Sequence, residues 1–136
     1  MHSGWITTGP RTKELEKEVA ELCGVNKAVC LNSQTACGEM TLRLLGIHEG
    51  DEVITSAYTY TASVSVVCHV GAKFVLFDTQ KDSLEMDYDK LSDSITEKMK
   101  VIIPVDLGGV PCDYDKIFLI VKSKKHLFQH LKDWKM

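Results

Sequence analysis

Small polar residues between an apolar run and a helical pattern are the part of this chain best suited to bind a phosphate. Residues 31–36 read LNSQTA and follow the apolar run of residues 28–31. A strand that leads into a helix in this way presents backbone N–H groups and the positive end of the helix dipole to an anion. The candidate phosphate ligands are therefore the side chains of Ser33 and Thr35, with the N–H groups of Thr35 and Ala36.

The same residues have a second interpretation that needs no ligand, because Ser and Thr are also ordinary helix caps. Gln34 weakens the phosphate interpretation, since a small residue at that position would let a phosphate approach the backbone more closely. Taken alone, residues 31–36 favour a capped helix.

Two further loops follow predicted strands, and a parallel sheet would bring both to the same edge. Tyr58 and Tyr60 lie in the first loop. An aromatic ring there can stack on a flat cofactor, although packing between helix and sheet explains either tyrosine taken alone more simply. The second loop, residues 106–113, has two adjacent glycines that allow a backbone path close to a ligand. The alternative is a plain strand-to-helix connection capped by Asp113, and the sequence leaves both open.

Strands alternate with helices along the chain, and several strands are almost wholly apolar. This pattern predicts an α/β fold with a parallel sheet that is covered by helices on both faces. Right-handed crossovers would align the carboxyl ends of the strands, and therefore the loops, along one edge. The predicted strands are residues 28–31, 52–55, 73–77 and 101–105, and the predicted helices are residues 10–23, 35–45, 60–70, 87–95 and 113–122, followed by an amphipathic helix that includes Leu127, Leu131 and Trp134.

Length and composition bound the class of protein. With 136 residues the chain suits one domain, residues 1–136, and its net charge of -3 argues against a nucleic-acid partner. The five cysteines form no C-x-x-C pair, so we expect free thiols and no metal site. Neither a signal peptide nor an apolar run of membrane-spanning length is present, so we expect no membrane partner and a cytoplasmic location.

In order and spacing, these stretches resemble the DegT/DnrJ/EryC1/StrS family of pyridoxal-phosphate-dependent sugar aminotransferases. The resemblance covers residues 3–128. Gln34 departs from the pattern, since the family more often carries Gly or Ala there. The matching stretches are residues 3–10 (SGWITTGP), 31–36 (LNSQTA), 50–55 (GDEVIT), 58–62 (YTYTA), 101–106 (VIIPVD) and 111–113 (PCD).

The resemblance implies a partial three-layer α/β/α fold with a mostly parallel sheet, like the amino-terminal part of the large domain of fold-type I pyridoxal phosphate (PLP) enzymes. Ser33, Gln34, Thr35 and Ala36 would belong to the loop that binds the cofactor phosphate. The ring of Tyr60 would stack on the cofactor's pyridine ring. The implied cofactor is pyridoxal 5′-phosphate.

The resemblance also implies a reaction. An amino group would pass from an amino acid, typically glutamate, to a nucleotide-linked keto sugar in polysaccharide or amino-sugar biosynthesis. Family members are usually homodimers, so we expect a homo-oligomer.

The reaction needs a lysine that bonds to the cofactor and a carboxylate that keeps its ring nitrogen protonated. The resemblance places both beyond the matching region, and the cluster of Lys122, Lys124 and Lys125 does not match the family's lysine motif. We therefore assign no catalytic residue. The expectation is a truncated amino-terminal portion that is inactive by itself.

Two alternatives remain at this point. The chain could be a non-catalytic remnant that oligomerises through an exposed sheet edge. It could also be a doubly wound domain that binds a nucleotide or phosphate at the same helix end, although the sequence has neither G-x-G-x-x-G nor a Walker loop.

Overall fold

The computed structural model describes Gly4 and residues 8–124. The chain forms two compact units, residues 1–34 and residues 35–136. The amphipathic helix expected around Leu127, Leu131 and Trp134 lies outside the described residues. No helix among the described residues is long and apolar enough to cross a membrane.

The first unit contains helix α1, Pro10–Leu22, with a proline in the first turn where a missing N–H costs nothing. The chain leaves the helix through Gly24 at a φ of 64°, a conformation that favours glycine. Both ends agree with the prediction.

The prediction of a strand over residues 28–31 is wrong, because this segment is irregular. Val29 is 72% exposed, and the Cys30 N–H donates to the carboxylate of Glu16 at 2.9 Å instead of to a strand. An apolar run forms a strand only where a neighbouring strand pairs with its backbone, and the described sheet does not include this segment.

The second unit is built on three parallel strands: β1, Glu52–Ser56; β2, Lys73–Phe77; and β3, Met99–Ile103. Their order is β2-β1-β3, so β1 is central and its residues 53–56 are all buried. The third strand begins two residues earlier than predicted and ends before Pro104. A proline has no N–H to donate to a strand ladder, which explains where β3 stops.

Helices cover both faces of this sheet. They are α2, Gln34–Leu44; α3, Ala62–His69; α4, Tyr88–Ser94; and α5, Tyr114–Ser123. The sequence predicts each of them to within two residues at either end. Asp87 and Asp113 cap α4 and α5 by accepting from the N–H groups of Lys90 and Lys116.

Two apolar clusters, one on each face of the sheet, make the second unit a three-layer α/β/α structure. Neighbouring residues of β1 point to opposite faces: Val53 joins the cluster with residues of α2 and α3, and Ile54 joins the cluster with residues of α4 and α5. The predicted fold class is therefore confirmed.

We expect Leu91→Ala to lower the free energy of unfolding by about 2–5 kcal/mol, because Leu91 is fully buried in the α4/α5 cluster and the loss would leave a cavity. Leu119→Ala is the matched control, since Leu119 is 66% exposed on α5 and its loss should cost less than about 1 kcal/mol. Urea unfolding measures both. Equal losses for the two variants would contradict the assignment of this core.

Candidate functional site

Helices α2 and α3 lie side by side and run in the same direction. A β-carbon at Gly38 would be 3.5 Å from Cγ1 of Val66, so the two helices approach closely at this point. Further along both helices, Glu39 Oε2 accepts from His69 Nδ1 at 2.8 Å, and Arg43 donates to the His69 carbonyl at 3.1 Å. Because these contacts advance together along the two helices, their amino-terminal ends lie next to each other.

Both amino-terminal ends lie at the carboxyl end of the central strand. Only residues 57–61 separate the end of β1 from the start of α3. The N–H of Ala57 donates to the Phe77 carbonyl at 2.7 Å, which extends the pairing of β1 with β2 up to this edge. In parallel sheets covered by helices, this edge is where ligands bind.

The structure brings three of the five predicted site residues into the second unit, at these helix ends. Thr35 and Ala36 form the first turn of α2 and are half-buried, whereas Tyr60 precedes α3 with 81% of its surface exposed. Ser33 and Gln34 are exposed and belong to the first unit, directly before Thr35 in the chain. The simpler interpretation, a tyrosine packed between helix and sheet, is therefore wrong for Tyr60.

Hydrogen bonds fix the backbone around Tyr60 while its ring faces solvent. Ser56 Oγ accepts from the Tyr58 N–H at 3.2 Å, and the hydroxyls of Thr59 and Ser63 lie 2.9 Å apart. The Tyr60 carbonyl accepts from the Ser63 N–H at 3.1 Å. An ordered backbone that carries an exposed aromatic ring can present that ring to a flat ligand at little cost in conformational entropy.

An ion-paired cluster links α2 to α3 on the side away from these ends. The Arg43 guanidinium first, and then the His69 ring, hold the pKa of Glu39 below its ordinary value. The sequence contains a signal for the first pair, which has helical i, i+4 spacing. The sequence contains no signal for the second pair, because His69 lies 30 residues from Glu39. Only the structure shows that these two residues are partners.

The second candidate loop, residues 106–113, is held by its own side chains. Asp106 accepts from the Cys112 N–H at 3.0 Å and from the Tyr114 hydroxyl at 3.0 Å. The Cys112 N–H, ahead of the Tyr114 hydroxyl, holds the pKa of Asp106 below its ordinary value. Gly108 and Gly109 have φ angles of 64° and 82°, which such a turn requires. These contacts favour the structural interpretation of this loop over a ligand site.

A buried tyrosine ties this loop to the neighbouring one. The Tyr88 hydroxyl accepts from the Asp113 N–H at 2.8 Å and donates to Glu85 at 3.2 Å. Burial raises the pKa of Tyr88, and it also raises the pKa of the Cys112 thiol. Both groups are therefore neutral near pH 7 and serve the packing of this edge. Glu85 is half-buried in this network.

The residues at the start of α2 and α3 fit pyridoxal phosphate in their chemistry. Two neighbouring helix ends provide a positive electrostatic environment for a phosphate. After Gln34, the first turn of α2 carries a short hydroxyl side chain at Thr35 and a methyl group at Ala36. The exposed ring of Tyr60 is available for stacking. The same edge buries the hydroxyl of Thr55 without a hydrogen-bond partner among the described residues, which marks an incompletely satisfied polar position there.

Comparison with known proteins identifies the family of this chain. A family model described as the DegT/DnrJ/EryC1/StrS aminotransferase family matches residues 1–128. The chain is 37% identical over 123 residues to the spore coat polysaccharide biosynthesis protein SpsC of Bacillus subtilis, covering 90% of this chain and 32% of that protein. It is 42% identical over 118 residues to the UDP-4-amino-4-deoxy-L-arabinose–oxoglutarate aminotransferase of Shewanella sediminis, covering 87% of this chain and 30% of that protein.

Solved structures agree with this match. The PLP form of Spr1654 from Streptococcus pneumoniae, assigned as a sugar aminotransferase, superposes with a TM-score of 0.88 at 57% identity, over 93% of this chain and 32% of that one. DesV of S. venezuelae, solved with a ketimine intermediate, gives a TM-score of 0.84 at 33% identity, over 90% of this chain and 33% of that one. The chain thus spans about a third of the length of its relatives. It belongs to the DegT/DnrJ/EryC1/StrS aminotransferase family.

Proposed function

We propose that this chain is the amino-terminal portion of a PLP-dependent sugar aminotransferase. In this proposal the start of α2 binds the phosphate of the cofactor, and Tyr60, just before α3, stacks on the cofactor's ring. The observation that carries the proposal is the parallel packing of α2 against α3 at Gly38 and Val66. Because of this packing, the first turn of α2 and Tyr60 lie at the same edge of the sheet. Family membership supports the cofactor, since structures of relatives include PLP and PMP forms.

Each proposed contact follows from the chemistry of the residue. The backbone N–H groups of Thr35 and Ala36, with the hydroxyls of Ser33 and Thr35, would hold the phosphate, and Gln34 would line the same loop. The ring of Tyr60 would stack on the pyridine ring. When bound, pyridoxal phosphate supplies an electron-withdrawing ring that stabilises negative charge on the carbon next to the amino nitrogen.

The proposed substrates are an amino-acid donor, typically glutamate, and a nucleotide-linked keto sugar. Support comes from the names of two relatives, one in spore coat polysaccharide biosynthesis and one an aminoarabinose–oxoglutarate aminotransferase. The wider role would be the biosynthesis of amino sugars or polysaccharides, and we place this chemistry in the cytoplasm as part of the same proposal.

We propose further that the 136 residues expressed by themselves do not transfer an amino group. The chain spans about a third of its relatives, and no lysine occurs in residues 33–38 or 57–65, the segments that form the candidate site. The purified chain, supplied with PLP, glutamate and a nucleotide-linked keto sugar, should therefore form no 2-oxoglutarate above the background without protein. Protein-dependent formation of 2-oxoglutarate and amino sugar in equal amounts would contradict this.

A second copy of the chain is the proposed partner. The second unit exposes large apolar side chains, including Leu44 at 80% and Val110 at 61%. Apolar surface of this kind is often covered in an oligomer. Light scattering tests the proposal: a mass at least twice that of one chain is expected, and a monomer at high concentration would contradict it.

We expect Tyr60→Ala to weaken binding of pyridoxal 5′-phosphate about two- to twelvefold, because stacking of two aromatic rings contributes about 0.5–1.5 kcal/mol. Tyr60→Phe keeps the ring and should bind within about twofold of the wild type. Tyr58→Ala is the matched control, since Tyr58 is 56% exposed in the same loop and has no proposed contact with the cofactor.

Equilibrium titration followed by PLP absorbance measures all three variants. Equal weakening by Tyr60→Ala and Tyr58→Ala would show that the loop, and not the Tyr60 ring, matters. An unchanged affinity in Tyr60→Ala would remove Tyr60 from the site.

A further inference from the structure

Thr55 is buried without a partner for its hydroxyl. It is 0% exposed, and Oγ1 makes no hydrogen bond to any of the residues that the structure describes. A hydroxyl that is buried without a partner loses its hydrogen bonds to water and gains none from the protein. The folded protein would therefore be more stable with a valine, which has nearly the same shape, at this position. The backbone of Thr55 already pairs with both neighbouring strands, opposite Leu76 and Ile103.

The position of Thr55 points to the candidate site. Side chains alternate along a strand, so Thr55 faces the same side as Val53, which packs in the cluster formed with α2 and α3. Thr55 is two residues nearer than Val53 to the carboxyl end of β1. It therefore lies under the end of the layer at which α2 and α3 begin, where the Thr59 and Ser63 hydroxyls also meet.

We propose that Thr55 Oγ1 binds a buried water molecule beneath the amino-terminal ends of α2 and α3, and that this water makes Thr55 a positioning residue for the phosphate-binding end of α2. Full burial excludes direct contact between Thr55 and a cofactor that enters from solvent. Buried waters in proteins typically bridge such a hydroxyl to a further polar group, and the proposed second partner is a polar group of the loop or of the helix ends. The positioning role, but not the water site, rests on the proposed function.

Thr55→Val tests the water site through the sign of its effect on stability. Loss of a hydroxyl that binds a water should lower the urea midpoint of unfolding, whereas loss of an unsatisfied hydroxyl should raise it. Thr41→Val is the matched control, because Thr41 is exposed on α2 and its hydroxyl donates to the Cys37 carbonyl within the same helix. We expect a lower midpoint for Thr55→Val and little change for Thr41→Val. A raised midpoint for Thr55→Val overturns the proposal.

Cofactor affinity tests the positioning role separately. Thr55→Val should weaken binding of pyridoxal 5′-phosphate at least threefold, and Thr55→Ser, which keeps the hydroxyl, should restore affinity to within twofold of the wild type. A lower urea midpoint for Thr55→Val with an unchanged affinity for pyridoxal 5′-phosphate would overturn the positioning role. The water would then have a structural role alone. If the wild-type chain binds no pyridoxal 5′-phosphate, the proposed function and the positioning role both fail. The urea midpoint of Thr55→Val still decides the water site in that case.

Discussion

The close parallel contact between α2 and α3 is the constraint on which the candidate site depends. At Gly38 the two helices approach so closely that an added β-carbon would already be in van der Waals contact with Val66. The ion-paired cluster of Glu39, Arg43 and His69 joins the same two helices further along. Together these contacts fix the direction of α2 relative to α3, and hence the edge at which both helices begin.

Burial of β1 connects this pair of helices to the rest of the second unit. Val53 packs against the α2/α3 layer and Ile54 against the α4/α5 layer, so one strand serves both apolar clusters. The loops that follow β2 and β3 are held by the Tyr88 and Asp106 hydrogen bonds. At this edge of the sheet, the loops near α4 and α5 are therefore held by hydrogen bonds, whereas Tyr60, near α3, is exposed to solvent.

Local patterns predict the elements of the second unit well, because each element has its own signals. Alternating strands and helices, and Asp87 and Asp113 as caps, are all visible in the sequence. The end of the third strand is predicted too late, because the predicted strand runs through Pro104, whereas β3 stops at Ile103. The other failures concern contacts between segments distant in the chain. Residues 28–31 look like a strand but have no strand partner in the described sheet, and His69 acquires its partner only when α3 packs on α2. The Thr55 hydroxyl has no hydrogen-bond partner among the described residues, and nothing in the sequence indicates this, since threonine is common in strands.

The central claim is that this edge recognises a phosphate carried by pyridoxal. Equilibrium titration of the purified chain with pyridoxal 5′-phosphate, pyridoxal and UDP, under the same buffer and salt, tests it most directly. The account predicts that pyridoxal 5′-phosphate binds at least about tenfold more tightly than pyridoxal, a difference of about 1.4 kcal/mol or more, and more tightly than UDP. Equal affinities for pyridoxal and its phosphate, or a preference for UDP, would contradict it.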